Sequence, residues 1–286
     1  MDRQRKAATK SQIFSFKLFD LLPTMTPDEQ LEVFERVIRS SNPAVRPRAL
    51  RLGTAILSNS RLLEYLREED DVRRNAAVEI LKLRRQRSLN LACYLLEDSD
   101  PGVVVQAVQI LAHLSDRASL EPLLEALDHG DTNVVHEVLV ALGRIGDVRA
   151  LGSVRKFLDA EPRLQLAAIE TIGRLDATDL VPELVDLLGQ PDLEAATIKA
   201  LTRIGGAQAV RSLVQHWLGS SGGLTNEGNL RLLADMLENL TGVQPDIPAL
   251  EELLEEQLLE GAKDVRIQAV RCLVALRGSN RGLWMF

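Results

Sequence analysis

Small or apolar residues recur along the chain at Ala49, Ala76, Ala107, Val138, Ala168, Thr197, Leu233 and Ala269, spaced 27 to 36 residues apart. Around each marker, apolar residues fall at the next position and again four and seven positions later. The seven-on set is Ile56, Leu83, Leu114, Ile145, Leu175, Ile204, Leu240 and Leu276. Positions 0, +1, +4 and +7 lie on one face of a 3.6-residue helix, so each marker predicts a helix with one stripe buried between neighbouring units. Self-similarity at this period is that of a repeat architecture in which no unit buries its apolar face alone. No alternation of the β type survives, so the expected class is all-α.

The polar punctuation agrees. Marker helices open at Asn42-Pro43, Asp100-Pro101, Asp131, Glu161-Pro162, Pro191-Asp192 and Asp264. A capping acid or amide with proline in the first turn is a helix start. Gly146 and Gly205 close two of these helices, and Asp116 and Asp147 stand where they can cap the helix that follows. The run Asp131-Thr-Asn-Val-Val-His-Glu-Val-Leu-Val-Ala-Leu-Gly-Arg-Ile-Gly146, with relatives at Thr171–Asp176 and Ala200–Gly205, resembles the HEAT repeat. It is closest in style to the short bacterial form also found in phycobilisome lyases. That family has Asp followed by Val-Arg and then a small residue. Asp71-Val72-Arg73 and Asp264-Val265-Arg266 keep the Val-Arg dipeptide, as does Val45-Arg46, while Val104, Val135, Gln165, Glu194 and Leu230 replace the arginine elsewhere. The resemblance implies a right-handed α-solenoid of about eight HEAT-like helix pairs. It says little about function, because one fold carries many.

On this reading residues 1–27 are an N-terminal leader or cap, 28–277 the solenoid, and 278–286 an apolar tail ending Leu283-Trp284-Met285-Phe286. The leader holds three of the six Phe, with apolar groups spread almost all round a helical projection. It either caps the first repeat or docks elsewhere, and the tail either folds back over the last repeat or docks a partner. Within the solenoid, Gly219–Gly228 is a glycine-rich insertion, read as a slack connection or a binding loop. It lacks the Gly-Lys-Ser/Thr ending of a phosphate loop.

Composition bounds the rest. With 45% hydrophobic and 26% charged residues, the chain suits a well-packed soluble protein. No apolar run approaches a membrane span, and no signal peptide is visible in Met1–Lys10. Cys93 and Cys272 both sit in apolar helical pattern and read as buried thiols, so the expected compartment is the cytoplasm. The formal charge of −7 is uneven: residues 1–92 carry +6 and the remainder −13.

Candidate chemistry is sparse. His136-Glu137 matches the place where HEAT proteins resembling deoxyhypusine hydroxylase carry metal-binding pairs, but that chemistry needs several pairs converging. The equivalent positions, such as Arg74-Asn75, Val105-Gln106 and Leu166-Ala167, supply none. Neither cysteine has a histidine nearby in sequence, and no Gly-x-Ser-x-Gly elbow occurs. No catalytic residue, metal or cofactor is assigned, and the chain is not expected to be an enzyme. One pattern stands out. The sixth position after the marker is Lys82, His113, Arg144, Arg174 and Arg203 in five successive units, a cationic ladder on one edge. Cations there can simply cap helix carbonyls and oppose the dipole, or they can hold an anionic partner. A second basic patch comprises Arg46, Arg48, Arg51, Arg73, Arg74, Arg84, Arg85 and Arg87. It reads as solvated face, as salt bridges to neighbouring units, or as a grip on phosphates; few aromatics are interleaved for base stacking, which argues against nucleic acid. The expected function is a scaffold or adaptor that binds another protein, with an acidic surface, through the face lined by the second helices. The alternatives are nucleic-acid binding by the basic N-terminal third, or a phycobilin-lyase-like or other HEAT-repeat enzyme. The expected partnership includes no membrane span.

Overall fold

The computed structural model describes residues 19–220, 223–240 and 247–278. Sixteen α-helices lie among them, in eight consecutive pairs. These are α1 (Pro27–Val37) with α2 (Arg46–Ile56), α3 (Asn59–Arg67) with α4 (Asp71–Arg84), α5 (Leu89–Tyr94) with α6 (Pro101–Leu114), and α7 (Leu120–Glu125) with α8 (Thr132–Ile145). There follow α9 (Leu151–Arg155) with α10 (Pro162–Arg174), α11 (Val181–Asp186) with α12 (Pro191–Ile204), α13 (Gly206–Gly219) with α14 (Glu227–Glu238), and α15 (Pro248–Glu260) with α16 (Lys263–Gly278). No strand occurs among the described residues. The fold is all-α, an α-solenoid of helix pairs, and the pairing is the one the markers predict. No helix among the described residues is long and apolar enough to cross a membrane.

Capping explains where the helices begin. Thr26 and Glu29 form a reciprocal capping box at the start of α1, so the first repeat starts one residue earlier than the leader boundary drawn from sequence. Asp70 accepts from the Val72 amide at 2.9 Å, Asp100 from Gly102 at 2.8 Å and Asp131 from Asn133 at 2.7 Å. Asp116 and Asp147 accept from the Ala118 and Arg149 amides at 2.8 and 3.1 Å, opening the short 3-10 turns before α7 and α9. Four expected starts differ. The Asn42 side chain holds only the Ala44 amide in the turn before α2, Glu161 makes no side-chain cap, and Asp192 and Asp264 lie inside the first turns of α12 and α16. Proline at the first turn of α10 is pre-set in φ and favours the start there without a side-chain cap.

All eight marker residues are fully buried, from Ala49 to Ala269. Four positions on, Gly53, Ile80, Leu111, Leu142, Ile172, Leu201, Leu237 and Leu273 are buried as well. The seven-on set departs from expectation: only Leu175 and Leu276 are buried, and Leu83 is 50% exposed. Seven residues is two turns, so the face is right, but Ile56, Leu114, Ile145 and Ile204 are last residues of their helices. There the chain peels away and the neighbouring unit no longer covers them.

The chain clusters into two compact units, Met1–Ala141 and Leu142–Phe286, which divide within α8. In the first, the core is Phe34, Leu62, Tyr65, Ile80, Leu95, Leu111 and Leu123. In the second it is Leu142, Val154, Ile172, Leu184, Leu201, Leu213, Leu230 and Leu254. Second helices pack closely in this second unit because glycine lies five positions after two markers. A Cβ on Gly143 would stand 3.3 Å from the Thr171 Cα, and one on Gly173 would stand 2.8 Å from the Ala200 Cα. Position +5 of one repeat therefore rests on position +3 of the next.

The glycine-rich insertion is less slack than its composition suggests. Leu224 is buried, Asn226 caps the Gly228 amide at 2.8 Å, and the Asn229 side chain donates to the Gly223 carbonyl at 2.8 Å. Residues 221–222, the leader through residue 18, the stretch 241–246 and the apolar tail lie outside the described residues.

Candidate partner-binding edge

Arg144, Arg174 and Arg203 occupy the last turns of α8, α10 and α12 in the second unit, all exposed. Equal register on helices packed about 10 Å apart places them along one edge. The stem of Arg174 crosses the preceding repeat: its Cδ would lie 3.1 Å from a Cβ on Gly143, the residue next to Arg144. Among the described residues none of the three arginines makes an ion pair or a side-chain hydrogen bond. Their guanidinium groups do not close helix carbonyls, so capping by hydrogen bond does not occupy them. A cation in the last turn still opposes the dipole, for a few tenths to one kcal/mol at most. In the first unit the ladder differs. Lys82 is half-buried and paired with Glu79 at 2.9 Å, while His113 is exposed.

The second basic patch divides in the same way. Arg73 binds Glu35 at 3.0 Å and Glu68 at 2.8 Å, and lies 5.4 Å over the Tyr65 ring. Arg74 pairs with Asp71. Arg84 donates to Asn59 and to the carbonyls of Thr54 and Leu57, closing the end of α2; burial, then the charge of Arg87, holds its pKa below the ordinary value. Arg73 and Arg84 fasten neighbouring repeats, while the Arg74 pair stays within α4. Arg46, Arg48, Arg51, Arg85 and Arg87 are exposed. Similar repeat-to-repeat pairs run from Arg39 to Asp70, Arg67 to Asp98 and Arg155 to Glu183.

His136 and Glu137 stand 3.6 Å apart, with the Nδ1 atom of His136 buried and without a hydrogen-bond partner. No group of three or more metal-ligating side chains occurs among the described residues. Of the two cysteines, Cys272 is buried as expected, with a thiol pushed up to about 12 by burial. Cys93 is not. It lines a cleft of about 240 Å³ with Leu96, Pro122, Glu125 and His129, because α5 is short and leaves its outer edge open. Burial and then the charge of Asp116 raise its pKa above the ordinary value. Thiol reactivity follows the thiolate fraction. At pH 7.5 an aromatic disulfide reagent should therefore consume one thiol, slowly, in the native protein and both in denaturant. Two rapid native thiols would contradict this placement.

The sequence reading missed a larger cleft of about 560 Å³ in the second unit, between the ends of α12 and α14. Arg203 lines it, with Thr178, Gly205, Gly206, Asp235 and Asn239. Its signal was present in the chain. Aligned on arginine, Arg144-Ile-Gly-Asp-Val-Arg-Ala150 corresponds to Arg203-Ile-Gly-Gly-Ala-Gln-Ala209, and glycine replaces the capping aspartate.

The helix pairs, their buried marker and their glycine-mediated stacking define a repeat protein of the α-solenoid class. The model of HEAT repeats matches residues 59–135, 88–163 and 153–228, and the chain belongs to the HEAT-repeat family. No curated protein matches it. Among solved structures, an engineered protein is 17% identical with a TM-score of 0.50, covering 86% of this chain and 78% of that one. That likeness shows the fold alone. The CpcE–CpcF complex of phycocyanin lyase from Nostoc sp. PCC7120 is 23% identical over 89% of this chain and 94% of that one, with a TM-score of 0.41. Human deoxyhypusine hydroxylase is 15% identical over 91% and 99%, with a TM-score of 0.30.

Proposed function

We propose that the chain is a non-catalytic scaffold that holds an acidic protein partner along the edge carrying Arg144, Arg174 and Arg203. The observation that carries this reading is the contrast among its arginines. Arg39, Arg67, Arg73, Arg155 and Arg271 are bound to carboxylates of neighbouring repeats, whereas the three at the edge are held in one register and left unspent. An anionic surface laid across them meets regularly spaced donors fixed by the stacking of α8, α10 and α12. Charge complementarity of this kind raises association rates and sets orientation more than raw affinity. The reading places the protein where soluble partners meet it, in the cytoplasm. Nucleic acid is the weaker candidate, since Arg73, Arg74 and Arg84 of the basic N-terminal third are already engaged.

The test compares the wild type with the triple variant Arg144→Glu, Arg174→Glu, Arg203→Glu as bait at low and moderate salt, with bound protein and nucleic acid both identified. Each exposed pair contributes roughly 0.2–1 kcal/mol, and reversal adds repulsion, so the triple variant should bind on the order of 100-fold more weakly. Retention of the wild-type partner by an equally folded variant would refute the edge. Recovery of nucleic acid alone, with salt-sensitive binding, would transfer the function to the basic third.

A further inference from the structure

We infer that the cleft beside Arg203 is a carboxylate-binding pocket that takes one acidic side chain of the partner; this deepens the proposed function and rests on it. The position is defined by comparison of the repeats within the chain. Where α6 passes to α7 and where α8 passes to α9, the chain supplies its own carboxylate, from Asp116 and Asp147, to the amides that open the following element. At the passages from α10 to α11 and from α12 to α13 the equivalent residues are Ala177 and Gly206, the latter with φ of +80°, and no side chain caps the element that follows either; the cleft lies at the second of these. The space is not refilled by a neighbour. It is the 560 Å³ cleft, with the unpaired Arg203 guanidinium on one wall and Thr178, Asn239 and the apolar Ile204 and Met236 on the others.

Asp235 also lines the cleft and shares Arg271 with Glu238, each at 2.8 Å; Arg203 is the cation of the lining and makes no ion pair among the described residues. A carboxylate entering there gains a charge-assisted hydrogen bond from Arg203, roughly twice as strong as a neutral one. A glutamate's methylenes would lie against Ile204 and Met236, as pockets with apolar walls and few polar groups ordinarily hold their ligands. The edge arginines thus attract an acidic surface, and the cleft selects where along that surface it anchors.

The probes are sodium acetate, against sodium chloride at equal ionic strength, and a hexaglutamate peptide, followed by amide chemical shifts of the labelled full chain. Acetate should saturate the shifts of residues 205–208, and chloride should not. Gly206→Asp, which restores the repeat's own carboxylate, and Asn239→Trp, which fills the cleft from the end of α14, should each weaken the acetate response at least 10-fold. The second variant serves if the positive φ at Gly206 resists aspartate. Arg144→Glu with Arg174→Glu should weaken hexaglutamate binding and leave the acetate response intact. Acetate shifts that chloride reproduces, or that survive both cleft variants, would overturn the pocket. Loss of the acetate response with hexaglutamate binding still dependent on Arg144 and Arg174 would remove the pocket and keep the edge. Hexaglutamate binding indifferent to those two arginines, with acetate saturating the cleft, would do the reverse.

Discussion

Tyr65→Ala should destabilise the first unit by about 3–5 kcal/mol, the cost of truncating a large buried aromatic whose site cannot collapse. Tyr65 is 2% exposed and its hydroxyl donates to Glu35. Burial, followed by the hydrogen bond to Glu35 and its charge, holds the phenol well above the ordinary value and therefore neutral. Arg73 completes the cluster, covering the ring while donating to Glu35 and Glu68. The group ties α1 to α3 and α4, so it joins the first two repeats through polar atoms as well as apolar ones. Tyr65→Phe should cost only about 1 kcal/mol, because Arg73 still satisfies Glu35. Arg73→Ala should cost about 2 kcal/mol: less than the 3–5 of a fully buried pair, since the Arg73 side chain is 33% exposed and partly screened by water. Urea unfolding of the three variants measures these differences. Equal losses for Tyr65→Ala and Tyr65→Phe would show that the hydroxyl, not ring packing, carries the residue's contribution.

Gly173→Leu should be comparably damaging, at about 3 kcal/mol or more, and its origin is backbone rather than side chain. An added Cβ meets the Ala200 Cα at 2.8 Å and the Ala200 Cβ at 2.9 Å, and a helix backbone cannot rotate away as a flexible side chain would. Even Gly173→Ala should destabilise, although alanine gains about 1 kcal/mol of helix propensity over glycine. The control has the opposite sign. Gly152 lies in α9 with nothing within 4 Å of its Cβ position, so Gly152→Ala should stabilise by up to about 1 kcal/mol. Hydrogen exchange should show the loss in α10 and α12 together, since the contact is shared by both. Unchanged protection in Gly173→Ala would mean that α10 and α12 do not approach as closely as described.

Much of this was legible before any coordinates. A helix must show its partner the same face every 3.6 residues, and a repeat must bury that face against its neighbour, so the markers from Ala49 to Ala269 declared the helix pairs and their order. Asp100, Asp131 and Asp147 announced helix starts because an unsatisfied first-turn amide requires an acceptor wherever it occurs. The cationic positions Arg144, Arg174 and Arg203 were visible for the same reason: equal register means equal face. What required tertiary structure was which charges were already spent. Arg73, Arg84 and Arg174 look alike in sequence. Only the packing shows that the first meets Glu35, thirty-eight residues away, that the second closes α2, and that the third makes no ion pair among the described residues. The exposure of Leu83 and Cys93 and the cleft beside Arg203 also came from packing, because each depends on where a neighbouring element stops. Periodicity is a property of one helix and can be read from one stretch of chain. Vacancy and pairing belong to two or more, and they exist only once the repeats are stacked.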